Sequence, residues 1–179
     1  MSGPEYDFAR EMLRVLVSRV PSGYTTPETE MTDGVIDGRP VQIMVQLVQV
    51  FRTRDGGVSY HASTDVYRGD QGGNLSVNAV VGPGASPVTD DPCATSGQPH
   101  QGVDEGCHVV TASNGLKVRL SSSARGGSRI YFAEVAYQDV TVSAGQTLLG
   151  GVAAKAPLPG PFLSERDLAE LVALPGFKP

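Results

Sequence analysis

Two cysteines and two histidines lie close together in the chain and have side chains suited to chemistry. Cys93, His100, Cys107 and His108 carry thiol and imidazole groups, the ligands that Zn²⁺ prefers. Three arrangements are open: a Cys93–Cys107 disulfide, a zinc site built from all four residues, or two free thiols. Structural zinc sites use closely spaced ligand pairs, and the gaps between these cysteines and His100 are longer. The spacing therefore favours a disulfide that closes a loop rich in glycine, proline and polar residues.

The third histidine lies on a predicted strand together with a carboxylate. His61 and Asp65 fall on the polar side of an alternating run, but four residues of extended chain place them about 13 Å apart, too far for direct contact. His100 is expected to be exposed in the cysteine loop, and His108 begins the strand that follows. His61, Asp65, His100 and His108 therefore remain candidate binding residues, and they are not expected to form a catalytic set.

Other motifs that carry chemistry are missing from the sequence. The acidic pairs beside the cysteines lack the spacing of a calcium loop. Gly126-Gly127-Ser128 lacks the strand, sharp turn and helix that present a hydrolase serine. No glycine-rich turn leads into the Lys and Ser or Thr of a phosphate-binding loop. The sequence predicts neither a metal site nor a cofactor, and it favours a protein that is not an enzyme.

Charge and cysteine content restrict the partners and the compartment. The 179 residues carry a formal net charge of -5, and the 14 Lys and Arg form no basic run, so nucleic acid is not an expected partner. No apolar stretch reaches the roughly 18 residues of a membrane span. A disulfide requires an oxidising compartment, which predicts an extracytoplasmic location. The start at residues 1–4 is interpreted as replacing a removed signal or membrane anchor.

The elements that position these residues begin with a helix, predicted over 5–20. Phe8, Met12 and Leu16 recur at helical spacing and form one apolar face, which we expect to pack on the rest of the domain. Pro21 follows and ends the helix.

The region 35–142 carries strand signals. Alternation over 41–47 and 58–66 around Asp55-Gly56 predicts a hairpin, and Asn114-Gly115 predicts another. A further strand is predicted over 75–81, and the longest over 129–142. The serine-rich stretch 121–128 is expected to be a flexible connection.

A proline-rich linker over 156–162 precedes a second helix over 164–174. Ser164 is placed to cap the helix, and Asp167 can return the bond in a variant of the capping box. The sequence thus predicts a single α+β domain over 1–179: an antiparallel, meander-like sheet of five to six strands, an N-terminal helix and a short C-terminal helix.

The order of these features resembles that of actinobacterial membrane-anchored or lipoprotein ectodomains, a largely uncharacterised family. The features that carry the resemblance are a helix that ends in Leu-Val-Ser-Arg-Val-Pro-Ser-Gly, a strand-rich middle, the acidic segment between the cysteines, and a final Leu-Ser-Glu-Arg-Asp-Leu-Ala-Glu-Leu-Val helix before Pro-Gly-Phe. The resemblance extends from Phe8 to Phe177 in layout. It implies an anchored envelope protein and brings no catalytic residues, while Cys93 and Cys107 match its cysteine pair.

The expected function is therefore that of a non-enzymatic extracytoplasmic domain of a cell-envelope protein. Such a domain would bind a protein or an envelope ligand, as in the sensory part of a membrane-anchored regulator. The binding surface would use the polar strand face with His61 and Asp65, or the cysteine loop. The alternatives are a small hydrolase with a histidine-centred site and a carrier of small molecules or lipids.

Overall fold

The computed structural model describes residues 3–93, 104–125, 128–150 and 154–179. These residues form two α-helices and ten strands, followed by a 3₁₀ turn at Pro175–Phe177. The elements are α1 (Pro4–Ser18), β1 (Met31–Ile36), β2 (Arg39–Met44), β3 (Gln46–Arg52), β4 (Val58–Arg68), β5 (Gln71–Val81), β6 (Asp104–Thr111), β7 (Lys117–Arg125), β8 (Ser128–Ala136), β9 (Val140–Thr147), β10 (Ala156–Pro157) and α2 (Glu165–Val172).

The main sheet consists of two antiparallel meanders joined side by side. Its order is β3-β4-β5-β9-β8-β7-β6, and β10 adds a short parallel pair on β5. The α+β class, the N-terminal helix and the short C-terminal helix are thus confirmed. The strand number was wrong, because the described residues form eight strands in this sheet and two in a separate ribbon instead of five to six.

Both helices pack on the same face of the main sheet, which we call the inner face. α1 lies on β3, β4 and β5, and α2 lies on β6 to β9. Met12 and Leu16 of α1 are fully buried, as the predicted apolar stripe requires, and Phe8 meets Tyr60 edge-on with ring centroids 4.9 Å apart. Each meander therefore has its own helix and its own part of the core.

Three predicted stretches are divided differently in the structure. The alternating run over 41–47 breaks at Val45, whose N–H bonds the Glu30 carbonyl 2.9 Å away instead of continuing a ladder. The long run over 129–142 folds back between β8 and β9, where the Tyr137 N–H donates to the Val140 carbonyl at 2.7 Å. Residues 121–125 continue β7 and are not a flexible connection, because each of them pairs with β8.

The ribbon of β1 and β2 was missed by sequence reasoning. It is a two-residue hairpin whose turn is Asp37-Gly38, with positive φ at both positions. This is the turn chemistry that the right-handed twist of a hairpin requires. Polar residues within β1 weakened the strand signal, although Asp37-Gly38 was a usable clue.

Candidate functional site

The face of the main sheet that lies opposite the helices, the outer face, carries a continuous line of polar side chains. Because residues paired across adjacent strands point to the same face, the register defines one row that crosses six strands. We call it the polar row: Gln49, His61, Asn78, Ser143, Glu134 and Arg119. At about 4.8 Å per strand interval, the part from Asn78 to Arg119 spans roughly 14 Å.

Residues 82–93, which we call the strap, cross this outer face between β5 and the disulfide. The strap is held near its start where the Ser86 N–H donates to the Thr141 hydroxyl. Near its end the Lys117 ammonium donates to the Asp90 carbonyl at 3.0 Å. Its last residue, Cys93, is bonded to Cys107 on β6. The strap is therefore attached at both ends and in between.

A groove of about 740 Å³ lies between the strap and the outer face; we call it the strap groove. Its volume is within the range of ordinary small-molecule sites. The floor is made of Asn78 and the rest of the polar row up to Arg119, together with the neighbouring outer-face row. The floor residues are Asn78, Val80, Thr141, Ser143, Glu134, Ala136, Lys117 and Arg119.

An ion pair lies at one end of the groove floor. Arg119 and Glu134 face each other on β7 and β8 with Nη1 and Oε1 3.9 Å apart, and the Arg119 side chain is only 5% exposed. Burial of the Arg119 charge costs desolvation energy that its attraction to the partly exposed Glu134 offsets only in part. A guanidinium with five donors beside a carboxylate can serve a ligand that needs both donors and acceptors.

The strap contributes a buried hydroxyl to the same groove. Within the described ranges, Thr89 Oγ1 is buried and has no hydrogen-bond partner. A buried hydroxyl normally has a partner, and an exception calls for an explanation such as a bound water or ligand. The Thr89 hydroxyl is therefore an unsatisfied polar group in the wall of the strap groove.

His61 and Asp65 lie together on the outer face, as the alternation predicted, but this part of the face is not fully open to solvent. Asp65 is only 6% exposed, and it accepts bonds from the Tyr67 hydroxyl at 3.0 Å and the Asn74 amide at 3.1 Å. Burial raises the pKa of the Asp65 carboxyl, and these two bonds oppose the rise. Burial lowers the pKa of His61, which favours the neutral imidazole.

His108 lies on the inner face, away from His61. Its Nδ1 is 3.1 Å from the Gly106 carbonyl, and its Nε2 is 3.2 Å from a Glu165 carboxylate oxygen at the start of α2. These two contacts fix the orientation of the imidazole ring. The sheet separates this histidine from His61, and His100 lies outside the described residues.

The cysteine pair forms the disulfide that the spacing favoured. Cys93 and Cys107 are bonded, with their Cα atoms 5.9 Å apart, and the zinc alternative therefore has no thiolates to use. Across the described part of the chain, no three His, Cys, Asp or Glu residues are grouped so that they could hold a metal ion. A disulfide fits an oxidising extracytoplasmic location. None of the helices in the described ranges has the length and apolar character needed to cross a membrane.

Sequence reasoning located the polar face but missed most of the groove. Asn78, Ser143, Glu134 and Arg119 come from four strands, and only the register brings them into one row. Their common signal in the sequence was alternation, since each is a polar residue between two apolar neighbours. The strap was missed because it has no regular secondary structure.

Comparison of the chain with protein-family models, with curated proteins and with solved structures finds no match.

Proposed function

We propose that the chain is a non-enzymatic extracytoplasmic domain of a cell-envelope protein and that the strap groove binds a neutral oligosaccharide of the envelope. The observation that carries the proposal is the groove itself: a cleft floored by the polar row and closed on one side by a strap that a disulfide attaches to the sheet. Binding residues commonly lie on connections that a rigid scaffold holds in place.

The polar groups of the groove suit a ligand rich in hydroxyl groups. Asn78 and Ser143 each offer donors and acceptors. Sugar hydroxyls also donate and accept, so they can bond to such groups without a net charge. Glu134, whose side chain is 22% exposed, adds a carboxylate that can accept bonds from hydroxyls of the sugar, and the buried Arg119 fixes its position.

The charges of the groove argue against an anionic ligand. Two basic side chains, Lys117 and Arg119, are accompanied by three acidic ones, Asp55, Asp90 and Glu134. Lys117 bonds to Asp90 and Arg119 pairs with Glu134, so both cations already face carboxylates. The net negative charge of the groove would repel a phosphate or sulfate, whereas it would not repel a neutral sugar.

The binding experiment is an NMR titration of the oxidised protein with neutral tetrasaccharides of glucose and of N-acetylglucosamine, and with a sulfated tetrasaccharide. We expect saturable amide shifts along the strap and on β5, β9, β8 and β7 with a neutral sugar, and none with the sulfated one. Ser143→Phe, which fills the middle of the floor, should weaken binding at least about tenfold.

The matched control is Gln49→Phe, at the exposed end of the polar row and outside the groove. It should bind within about twofold of the unmodified protein. Shifts confined to other surfaces, or equal binding by Ser143→Phe, would contradict the groove assignment. Release of shorter sugars during the titration would contradict the non-enzymatic part and favour a hydrolase.

A further inference from the structure

The two edge strands of the main sheet, β3 and β6, differ in how they meet solvent. In β6 the register shifts between Glu105 and His108, and Cys107 in this bulge is bonded to the strap. Bulges of this kind keep an edge strand from pairing with another chain. β3 has no such protection, because residues 46–51 carry no charge, proline or glycine and β3 pairs with β4 without a register shift. We propose that β3 is the interface of a symmetric dimer, in which it pairs antiparallel with β3 of a second copy of the chain.

The backbone groups on the open side of β3 belong to alternate residues. At the start of the strand the Val45 carbonyl accepts a bond from β4, and just past its end the Thr53 N–H donates to the Gly57 carbonyl, both at 2.9 Å. Bonded positions alternate along an antiparallel pair, so the backbone groups of Val48 and Val50 point away from β4. Within the described ranges no strand pairs with β3 on that side. Their N–H and C=O groups are therefore available to another strand.

A two-fold axis at Gln49 makes this edge complementary to itself. Val48 then lies opposite Val50 of the second copy on both sides of the axis, so that their open N–H and C=O groups bond each other. On the outer face the same register places Phe51 opposite Leu47 of the second copy, at positions where opposed side chains come closest. Phe51 is 52% exposed in the single chain, and the pairing would cover it.

Exposed apolar side chains are concentrated in the part of the chain that forms this edge. Among the described residues, four of the exposed large hydrophobic ones lie within 31–51, in the ribbon or in β3, and the remaining three are scattered over the rest of the chain. The four are Met31, Val35, Met44 and Phe51. Exposed apolar surface that is concentrated in one region is typical of a site of protein–protein contact.

The charges at the two ends of β3 favour a second copy in the antiparallel sense. Arg52 and Arg54 lie at the C-terminal end and are exposed. Glu28 and Glu30 are exposed at the N-terminal end, where the Glu30 carbonyl accepts an N–H of β3 at 3.3 Å. Antiparallel pairing places each basic end beside the acidic end of the second copy, whereas parallel pairing would bring like charges together.

Two carboxylates near the basic end leave its character unchanged. Glu5 accepts a bond from Arg52 Nη2 at 3.1 Å, and a guanidinium with five donors can bond a second carboxylate as well. Asp55 lines the strap groove. Arg54 and the other donors of Arg52 therefore face the acidic end of the second copy.

The experiment is sedimentation equilibrium of the oxidised protein between about 10 µM and about 1 mM. We expect a monomer–dimer equilibrium that approaches twice the 18.7 kDa mass of the chain, with a Kd below about 0.1 mM, as suits a small interface. A protein that stays monomeric at about 1 mM overturns the proposal. Masses that keep rising beyond the dimer also overturn it, because head-to-tail pairing of β3 with β6 would produce an open series.

Phe51 on β3 and Val109 on β6 supply matched variants, since each is an exposed apolar residue on the outer face of an edge strand. Phe51→Lys should raise the Kd of the dimer at least about fivefold, because it removes the contact with Leu47 on both sides of the axis. Val109→Lys should leave the Kd within about twofold. Both variants should keep the melting transition, because both side chains are exposed. The opposite order of effects would place the interface on β6 and overturn the proposal.

Gln49 tests the axis itself, because it would face Gln49 of the second copy. Gln49→Lys and Gln49→Glu each place like charges opposite each other, and each should weaken the dimer at least about threefold. An equimolar mixture of the two variants should associate more tightly than either variant alone, since the mixed dimer pairs opposite charges. A mixture that associates no better than the single variants overturns this register.

Amide hydrogen exchange measures the same edge in the unmodified protein. The N–H groups of Val48 and Val50 should become more protected as the protein concentration rises, whereas those of Leu47 and Gln49, which face β4, should be protected at every concentration. Dimer formation without added protection at Val48 and Val50 would place the interface elsewhere and overturn the proposal.

Discussion

Reduction of the Cys93–Cys107 disulfide is the perturbation whose energetic effect the structure defines best. The bond joins residues 14 positions apart, so it closes a loop of about 15 residues. In the chain-entropy treatment, a loop of this size removes about 3 kcal/mol of unfolded-state entropy at 25 °C. We expect the reduced protein to be less stable by about that amount.

The folded protein should survive reduction, because other contacts hold both cysteine-bearing segments. Ser86 remains bonded to Thr141 and Asp90 to Lys117 on the strap side, while β6 remains paired with β7. For a chain of this length, each kcal/mol lowers the melting temperature by about 2–4 °C. The expected decrease is therefore about 6–12 °C.

The assay is guanidinium unfolding followed by far-UV circular dichroism, with and without reductant, and a thermal melt of the same samples. The double variant Cys93→Ser/Cys107→Ser is the control; it should match the reduced protein and be insensitive to reductant. A loss below about 1 kcal/mol would show that the 94–106 segment is already restricted in the unfolded chain. Complete loss of structure on reduction would refute the view that the disulfide is an addition to a sufficient core.

Three further changes test the inner and outer faces. Gln146→Leu removes three bonds: the one that the buried Gln146 amide donates to the Leu163 carbonyl, and the two that its carbonyl accepts from the N–H groups of Phe162 and Leu163. At about 1–3 kcal/mol for each buried group left without a partner, urea unfolding should show a loss of at least about 3 kcal/mol, and a loss under about 1 kcal/mol would contradict the attachment of this segment by Gln146. Asp65→Asn should stabilise the protein at pH 7. Because the folded-state pKa of Asp65 is raised, the protonated Asp65 carboxyl contributes stability that is complete below the ordinary carboxyl pKa and is lost as the pH rises through the folded-state pKa. The stability difference between variant and unmodified protein should therefore disappear in acid, and a difference that does not depend on pH would count against this reasoning. Ser164→Ala removes the cap whose hydroxyl accepts the Asp167 N–H at 3.1 Å and should cost about 1 kcal/mol in a thermal melt, whereas an unchanged melt would mean that packing alone holds the start of α2.

The local features that sequence reasoning found have strong short-range signals. The apolar stripe of α1, the turn at Asn114-Gly115 and the capping box at Ser164 each depend on residues within a few positions of one another. The disulfide could also be predicted, because two cysteines without the short spacing of metal ligands leave few possible states for the thiols. Patterns of this kind are present before the chain folds.

The parts that were missed depend on register and on long-range packing. No short stretch of the sequence indicates that Asn78 and Arg119 share a row, because the two strands between them must first pair in register. Burial of Asp65 on a polar face was also not evident from alternation, which reports the face of a side chain and not its exposure. The contact between His108 and Glu165 depends on the register shift in β6 and on the position of α2, and no single segment of the sequence indicates both.

The join between the two meanders has a consequence for how the chain reaches this structure. Among the described residues, the other ladders of the main sheet's seven-strand path connect strands that are consecutive in sequence, while β5 and β9 pair Asn74–Val81 with Val140–Thr147. Sequence-local units form quickly, and distant pairings pay a larger loop-closure entropy. Each half, with its own helix, would therefore assemble first and dock late. Until docking, β5 and β9 are two open edges of matching register, so two chains that fold side by side at high concentration can exchange halves across this join.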